Sequence, residues 1–428
     1  MIKLRKVALD ILYTLKAAGA DEAECTIISN STDETNSLGK NIYLIREFDS
    51  TDAEFRIVKN GRSAQMSINQ FDKESINNAV KCCIDMVNSD NSSMDCSLGY
   101  IGEMQPDRLL NMKRDSSKLY MRFEEFMRTL KNDYPSISSD AIAWYRDSKT
   151  LYINTLGQEL CSHNQSCGLD WQGGASDGVT TTDFCFFGVE CTDLSTPFIE
   201  QGMVREKLRT VQNMFNPQKI RGDKFVGTII LNPEALSEYA YQIISRINTM
   251  KNDDGLPIPT CSPNVSLYKA NSDIPYASNM AANNSPSAEV QYIIKNGAII
   301  PDPLNNLSAE EKTTYYIQKE KKYKNLENSV VGMESGDSSY KELISNVKRG
   351  LLIGHINGTM PSKDGDFSGV AKNSFYIEDG EIKFPVIETM VSGNVFEMFN
   401  HVEGISKETI YNYGTLFPWM AVSGISIK

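Results

Sequence analysis

The pattern of apolar and polar residues predicts helices and strands that alternate over residues 1 to about 90, and a further helix near residues 117–130. Three amphipathic helices are expected because apolar residues recur at helical spacing in residues 4–15, 76–87 and 119–130. Extended runs predict strands at 24–29, 42–47, 54–59 and 63–69. Asn60-Gly61 joins the last two as a tight hairpin, because both turn residues must adopt positive φ. Asp72 is a plausible N-cap for the second helix.

The middle of the chain is predicted to be richer in strands. Short alternating runs in residues 141–194 indicate a β-meander broken at Asp147-Ser148, at 154–157 and at Gly173-Gly174. A helix is expected at 203–214, a strand at 225–231, and a helix that opens at Asn232-Pro233 and runs to about residue 248. Residues 251–287 are rich in Asn, Ser, Pro and Asp, which predicts a long loop.

The last part of the chain is predicted to consist mostly of strands and loops. A hairpin is expected across Asn296-Gly297 and a strand at 328–333, and Ser339 begins a capping-box pattern. The fold class is therefore α+β, with an α/β N-terminal half and a β-rich C-terminal half. We expect a domain at 1–218, made of a helix–strand region (1–100) and a helix with the β-meander (101–218), and a second domain at 219–428.

The charge balance disfavours several classes of partner. The 428 residues carry a formal net charge of -12, whereas binding to nucleic acid requires concentrated Lys and Arg. The basic run at 319–324 contains an acid and is typical of a solvated helix face. No apolar run reaches the ~18 residues of a membrane span. Asp10 and Lys16 interrupt the apolar N-terminal stretch, so it predicts a helix of a cytoplasmic protein rather than a signal peptide.

The cysteines form one group that could bind a metal. Nine cysteines in a chain of this length are not a disulfide framework, and reduced thiols fit a cytosolic protein. The group consists of Cys161, His163, Cys167, Cys185 and Cys191. Metal-binding pairs usually stand two to four residues apart, whereas five residues separate the cysteines of each pair here. Buried structural thiols are favoured, and metal binding by this group stays open.

Familiar catalytic motifs are missing from the sequence. The chain has three histidines, and no two of them lie within helical reach, which excludes a zinc helix that presents two imidazoles. In the segment 365–369, Ser368 stands one position too late for the G-x-S-x-G nucleophile turn. No phosphate-binding loop or dinucleotide fingerprint is present. We therefore assign neither catalytic nor metal-binding residues to this chain.

The glycine-rich segment 350–394 allows two interpretations. Its glycines could turn a β-rich core, since glycine adopts positive φ without strain. They could equally allow close backbone approach to an extended peptide that adds as a strand. The candidate residues for such a peptide groove, or for an interface loop, are Gly354, His355, Asp366, Phe367, Ser368 and Asn394.

The same segment resembles the C-terminal signature of the TldD/PmbA family, whose members are known as peptide-maturation proteases and modulators of DNA gyrase. The resemblance lies in residues 350–352, 357–358, 365–369, 376–382, 385–386 and 392–394. It continues more weakly upstream at 60–62, 154–157 and 290–301, and so covers nearly the whole chain. TldD-type subunits resemble zinc proteases with an HExxxH helix and a downstream cysteine.

In this chain, other residues occupy the histidine positions of that motif. Aligned without gaps, Asn232 and Ser237 occupy them, Pro233 replaces the glutamate, and no cysteine follows Cys261. The chain is thus similar to the TldE (PmbA) branch. This resemblance implies a subunit of a TldD/TldE-type metalloprotease that acts on unfolded peptides. The chain itself would need no cofactor, and zinc in a TldD-type partner would activate water.

The resemblance leaves some alternatives open. The chain could form a heterodimer with its TldD-type partner or a homodimer. It could instead be a divergent hydrolase that uses His355, Asp366 or a cysteine, or a regulator that modulates DNA gyrase. The acidic net charge of -12 disfavours direct binding to DNA.

Overall fold

Helices and two β-sheets form the part of the chain that the computed structural model describes. These residues are 2–89, 98, 114–191, 193–249, 261–270, 290–300, 330–359, 361–362, 364–412 and 414–428. The α-helices are α1 (Ile2–Ala17), α2 (Lys73–Val87), α3 (Ser116–Asp133), α4 (Val204–Gln212), α5 (Pro233–Thr249), α6 (Tyr340–Ser345) and α7 (Val395–Asn400). Within these ranges, no helix has the length and apolar character needed to cross a membrane.

Within the described residues, the first sheet has six strands in the order β3-β2-β1-β4-β5-β6. They are β1 (Glu22–Leu38), β2 (Asn41–Lys59), β3 (Arg62–Ile68), β4 (Ile137–Asn154), β5 (Glu159–Ala175) and β6 (Cys185–Cys191). Every pairing is antiparallel. Side chains alternate between the two faces of a strand. Ile27, Ala143 and their register partners on the neighbouring strands therefore all lie on the same face of the sheet. Helices α1 and α2 cover this face at one end, and α3 and α4 cover it at the other.

In the part of the chain that the structure describes, the second sheet has thirteen strands and mixed pairing. They are β7 (Phe225–Leu231), β8 (Leu267–Ala270), β9 (Val290–Lys295), β10 (Ala298–Ile299), β11 (Val330–Met333), β12 (Arg349–Ile353), β13 (His355–Thr359), β14 (Asp366–Lys372), β15 (Phe375–Glu378), β16 (Glu381–Pro385), β17 (Met390–Asn394), β18 (Val402–Asn412) and β19 (Thr415–Ile427). The apolar strand β7 lies between β19, which is antiparallel to it, and β12, which is parallel. Helix α5 packs on these strands and shares their core.

The predicted helix faces and turns are confirmed. In α2 the buried residues are the five that the spacing indicated: Ile76, Ala79, Val80, Cys83 and Val87. The Asp72 side chain accepts hydrogen bonds from the backbone N–H groups of Glu74 and Ser75, as an N-cap does. Asn60 and Gly61 have φ angles of 52° and 71°, and Asn296 and Gly297 have 48° and 78°, so both hairpins use the expected left-handed turn residues. The α+β class is confirmed.

Several predicted strand breaks are wrong. The runs at 42–47 and 54–59 belong to the single strand β2, and β4 and β5 continue through Asp147-Ser148 and Gly173-Gly174. Within the strand, the Asp147 carboxylate accepts one hydrogen bond across the sheet from Gln165 Nε2 at 2.7 Å and lies 2.9 Å from His163 Nε2. At Gly173 a Cβ atom would lie 2.4 Å from the Ser138 carbonyl oxygen, so this glycine permits close strand approach rather than a turn.

The predicted long loop at 251–287 is interrupted by β8 (Leu267–Ala270), and most of the remaining loop lies outside the described residues. The basic run at 319–324 also lies outside them. The domain boundary after residue 218 stays a prediction. The first sheet ends at Cys191 and the second begins at Phe225, and the Gln218 N–H already donates to the Pro385 carbonyl at 2.9 Å.

Candidate functional site

A cleft of about 1060 Å³ lies between the two sheets. Its floor is the face of the first sheet that α1 to α4 leave uncovered. Ile142, Asp170 and Gly188 are register partners across β4, β5 and β6 and line the cleft. Their neighbours Ala143 and Leu169 point to the buried side. The opposite wall comes from the start of α5, the end of β12, β13 and the turn after β14.

Asn232 fixes the point where β7 passes into α5. Its Oδ1 atom accepts the Ala235 N–H at 2.8 Å, and its Nδ2 atom donates to the Gly354 carbonyl at 3.1 Å. Pro233 follows at the first helical position, where its fixed φ and missing N–H are tolerated. One turn further, the Ser237 hydroxyl donates to the Glu234 carbonyl at 2.8 Å. Both side chains that line the cleft here are therefore bonded to the backbone.

The groups at 232 and 237 do not fit a zinc ion. Zinc in proteins is bound by imidazole nitrogens, thiolates and carboxylates. Here an amide and a hydroxyl stand at the two positions, and both make backbone hydrogen bonds. The nearby carboxylate of Glu234 forms an ion pair with Lys207, whose ammonium would repel a cation at this place.

Polar contacts join the two walls of the cleft. Lys207 of α4 pairs with Glu234 of α5, and its side chain is buried although it is charged. Lys372 Nζ lies 3.1 Å from an Asp183 carboxylate oxygen. The Asn373 amide donates to the Phe184 carbonyl at 3.2 Å. These contacts connect elements of the first half of the chain with elements of the second across the cleft.

His355 lies opposite a carboxylate in this cleft. Its Nδ1 atom is 3.8 Å from Glu238 Oε1, and its ring meets that of Phe186 edge-to-face with centroids 6.4 Å apart. Partial burial in the cleft raises the pKa of Glu238, and the attraction of His355 opposes this rise. Glu238 stays 57% exposed, so it faces the solvent that fills the cleft.

The candidate residues from the glycine-rich segment fall into two places. Gly354 and His355 line the cleft. At Gly354 a Cβ atom would lie 2.2 Å from the Asn373 carbonyl oxygen, so this glycine allows the close approach of the chain's own backbone. The other four residues are not among those that line the cleft: Asp366, Phe367, Ser368 and Asn394.

Strands β14 and β17 hold these four residues. Asp366 and Asn394 are register partners, and the Asn394 amide donates to Asp366 Oδ1 at 2.8 Å. Phe367 is buried, and its ring lies 5.2 Å from that of Tyr239 in the core. Asn394 also caps α7 by accepting the Phe396 N–H at 2.9 Å. Their contacts build the second sheet, and a role in a groove or interface stays a prediction.

The cysteine group is spread over the first sheet. Cys167 and Cys191 are register partners, and burial raises the pKa of Cys167 to about 12 and that of Cys191 well above its usual value. Cys161 is exposed. His163 Nε2 lies 2.9 Å from an Asp147 oxygen. Protonated thiols are poor metal ligands, which agrees with the interpretation of Cys167 and Cys191 as structural.

Sequence reasoning missed the charged residues that dominate the cleft. Lys207, Glu234, Asp183 and Lys372 are far apart along the chain and belong to no local motif. Only Glu234 had a signal, because it follows the Asn-Pro helix start at the place of the substituted metal motif. The others could be found only by knowing how the two sheets pack.

Comparisons with known proteins locate a family domain in this chain. Residues 283–428 match the family model described as the PmbA/TldA metallopeptidase C-terminal domain. A metalloprotease of Methanothermobacter thermautotrophicus is 36% identical over 77 residues, which is 18% of this chain and 17% of that protein. A zinc metalloprotease TldD homolog of Saccharolobus solfataricus is 33% identical over 76 residues, again 18% and 17%. The alignments thus span less than a fifth of these relatives.

Solved structures resemble the chain along its whole length. A protein of Bacteroides thetaiotaomicron described as a modulator of DNA gyrase has a TM-score of 0.78 at 16% identity, with 100% of this chain and 99% of that chain covered. TldE from Thermococcus kodakarensis has a TM-score of 0.71 at 15% identity, with 98% and 99% covered. At such low identities the likeness shows a shared fold.

Proposed function

We propose that this chain, whose residues 283–428 match the PmbA/TldA metallopeptidase C-terminal domain, is the TldE (PmbA)-like subunit of a TldD/TldE-type metalloprotease. The complex processes or degrades unfolded peptides. In this proposal a TldD-type partner holds the zinc, and this chain supplies one wall of the chamber that holds the peptide. We place the complex in the cytoplasm, because nine cysteines in a chain of this length are not a disulfide framework, and reduced thiols fit a cytosolic protein.

The start of α5 carries the proposal. Asn232 and Ser237 stand where the aligned HExxxH motif has histidines, they line the cleft, and both bond to backbone groups. The hydrogen bonds explain what these residues do in place of a metal: Asn232 ties the start of the helix to Gly354, the residue after β12, and Ser237 bonds within the first turns of the helix. A subunit built in this way needs a partner for metal-dependent hydrolysis.

The shape and lining of the cleft support peptide binding. Ligand pockets usually measure roughly 300–1,000 Å³, so a cleft of about 1060 Å³ has room for several residues of extended chain. Aromatic side chains line it on both walls, among them Phe186, Tyr340, Phe375 and Trp419. Such side chains bury large apolar areas when they contact a ligand.

Co-expression with a TldD-type subunit tests the proposal. We expect the two proteins to purify as one complex and to cleave an unfolded peptide, whereas neither does so alone. The matched control is a complex whose partner has glutamine in place of the HExxxH glutamate, which should assemble and stay inactive. Full cleavage by the partner alone, without a stable complex, would show that this chain is not its subunit.

A further inference from the structure

We propose that the cleft selects peptide segments that carry lysine or arginine among apolar residues. This inference rests on the proposed function and names the class of peptide that the chain would hold. It draws on the charge of the lining, on the pairing of its lysines and on the exposed aromatic rings of its floor.

The lining of the cleft is strongly acidic. It holds six carboxylates against two lysines, a formal charge of -4 when His355 is neutral. The carboxylates are Asp140, Asp170, Asp183, Glu206, Glu234 and Glu238. A cleft with one sign of charge and walls of low dielectric focuses the field and raises the local concentration of oppositely charged ligands. The field inside therefore favours cationic side chains and repels carboxylates.

Both lysines of the cleft are already neutralised by its carboxylates. Lys207 pairs with Glu234, and Lys372 Nζ lies 3.1 Å from Asp183. Neither ammonium is therefore available to attract an acidic peptide without first breaking a contact between the walls. The remaining carboxylates of the lining, Asp140, Asp170, Glu206 and Glu238, account for its formal charge of -4.

These four carboxylates belong to four elements that line the cleft. Asp140 and Asp170 project from the open face of the first sheet, Glu206 from α4 and Glu238 from α5. Among the described residues, no group of three or more His, Cys, Asp or Glu side chains is arranged to hold a metal ion, so the four do not form a single cation site. They instead provide several places at which the basic residues of an extended segment can lie.

The floor also exposes apolar surface to the cleft. Ile142, Phe184 and Phe186 are 37%, 61% and 64% exposed, and all three line the cavity. Exposed apolar side chains grouped in a cleft mark a binding surface. Aromatic rings attract ammonium and guanidinium groups as well as apolar ones. This combination suits a segment in which basic and apolar residues alternate, and it disfavours an acidic one.

Binding of three matched peptides to the full chain tests this inference. They are unstructured, equally long and fluorescently labelled, and they share all apolar residues while the variable positions hold Lys, Gln or Glu. We expect the lysine peptide to bind about tenfold more tightly than the glutamine peptide, and the glutamate peptide more weakly still. The preference should shrink as ionic strength rises, because salt screens charges.

A variant of the cleft and a matched control complete the experiment. Substituting Asp170→Asn, Glu206→Gln and Glu238→Gln together should abolish most of the preference for lysine. The control removes the same charge from exposed positions outside the cleft, Asp52→Asn, Glu54→Gln and Glu124→Gln, and should keep the preference. Circular dichroism checks that both variants fold.

The possible results separate the inference from the proposed function. Equal binding of all three peptides, or an unchanged lysine preference in the cleft variant, overturns the charge selection while peptide holding stands. If no peptide binds, both proposals are overturned: the preference for basic peptides, and the role of this chain as a wall of the peptide chamber. Assembly with a TldD-type partner is measured separately and depends on none of these results.

Discussion

Asn232 makes two side-chain hydrogen bonds: it accepts the Ala235 N–H at the start of α5, and it donates to the Gly354 carbonyl between β12 and β13. The substitution Asn232→Ala removes both and should lower the free energy of unfolding by about 1–3 kcal/mol. Asn232→Ser keeps a cap acceptor and should cost less. Urea unfolding measures both effects, with Asn77→Ala on the exposed side of α2 as the control. An Asn232→Ala protein as stable as the control would contradict the anchoring role.

Asp366 and Phe367 are adjacent but test different things. Phe367→Ala should cost about 3–5 kcal/mol by opening a cavity beside Tyr239, so a loss of function in this variant reports on folding. Asp366→Asn keeps the shape and weakens only the bond from the Asn394 amide. If β14 and β17 line the chamber or the subunit interface, Asp366→Asn should impair assembly or cleavage while the melting temperature changes little. Normal assembly and cleavage by this variant would exclude that role.

When the native chain is alkylated, exposed cysteine thiols should react and buried ones should not. Cys82 and Cys161 are exposed, whereas Cys25, Cys167 and Cys261 are buried with pKa values raised to about 12. Because the thiolate is the nucleophile, iodoacetamide at neutral pH should label the first two and spare the other three. Mass spectrometry reads the sites, and labelling in denaturant provides the control. Fast native labelling of Cys167 would refute its buried, protonated state.

At the scale of elements, α5 is stabilised mainly by its buried face. Leu236 and Ile243 are fully buried in the core of the second sheet. Leu236→Ala should cost about 2–5 kcal/mol, because it removes buried methyl groups and leaves a cavity. Leu38→Ala, at a side chain that is 63% exposed, is the matched control and should change stability little. Thermal unfolding compares the two, and equal melting temperatures would contradict the packing of α5.

Helices were easier to predict from the sequence than strands, because the helices bury apolar side chains whereas some strands bury polar ones. The face of α2 is apolar from Ile76 to Val87, so its period is visible. Strand β1 instead buries polar residues, among them Thr32, Asp33 and Thr35. Asp33 is tolerated there because the Arg114 guanidinium donates to it. Such pairing is invisible to a hydrophobic pattern, and β1 and β2 were therefore predicted too short.

At the scale of the molecule, the cleft depends on packing that no local pattern encodes. The sequence indicated the segment around Asn232 and the loop at Gly354 and His355, and the structure brings these together. It gave no sign that Lys207 would meet Glu234, because α4 and α5 belong to different layers. The sequence could therefore predict the residues that belong to a local motif, but it could not predict the contacts that form only when the two sheets pack together.

The ion pair between Lys207 and Glu234 should contribute to the free energy of unfolding by holding α4 of the first half of the chain against α5 of the second half. Lys207 is buried, so Glu234→Gln leaves its charge without a partner and should cost about 1–3 kcal/mol. The double variant Lys207→Met with Glu234→Gln should lose less than the sum of the single losses, because no buried charge then remains. A double-mutant cycle by urea unfolding measures this coupling. Strictly additive losses would show that the pair does not hold the cleft together.

Zinc content and peptide cleavage of the purified chain, measured alone and then in complex with a TldD-type partner, test the central claim most directly. Metal analysis after incubation with zinc, followed by the cleavage assay on the same sample, gives both values. We predict no stoichiometric zinc and no cleavage for the isolated chain, and both for the complex. The variant His355→Ala tests the alternative that the chain is itself a hydrolase that uses His355. Such a hydrolase would lose its activity in this variant. Stoichiometric zinc together with cleavage by the isolated chain would contradict the account.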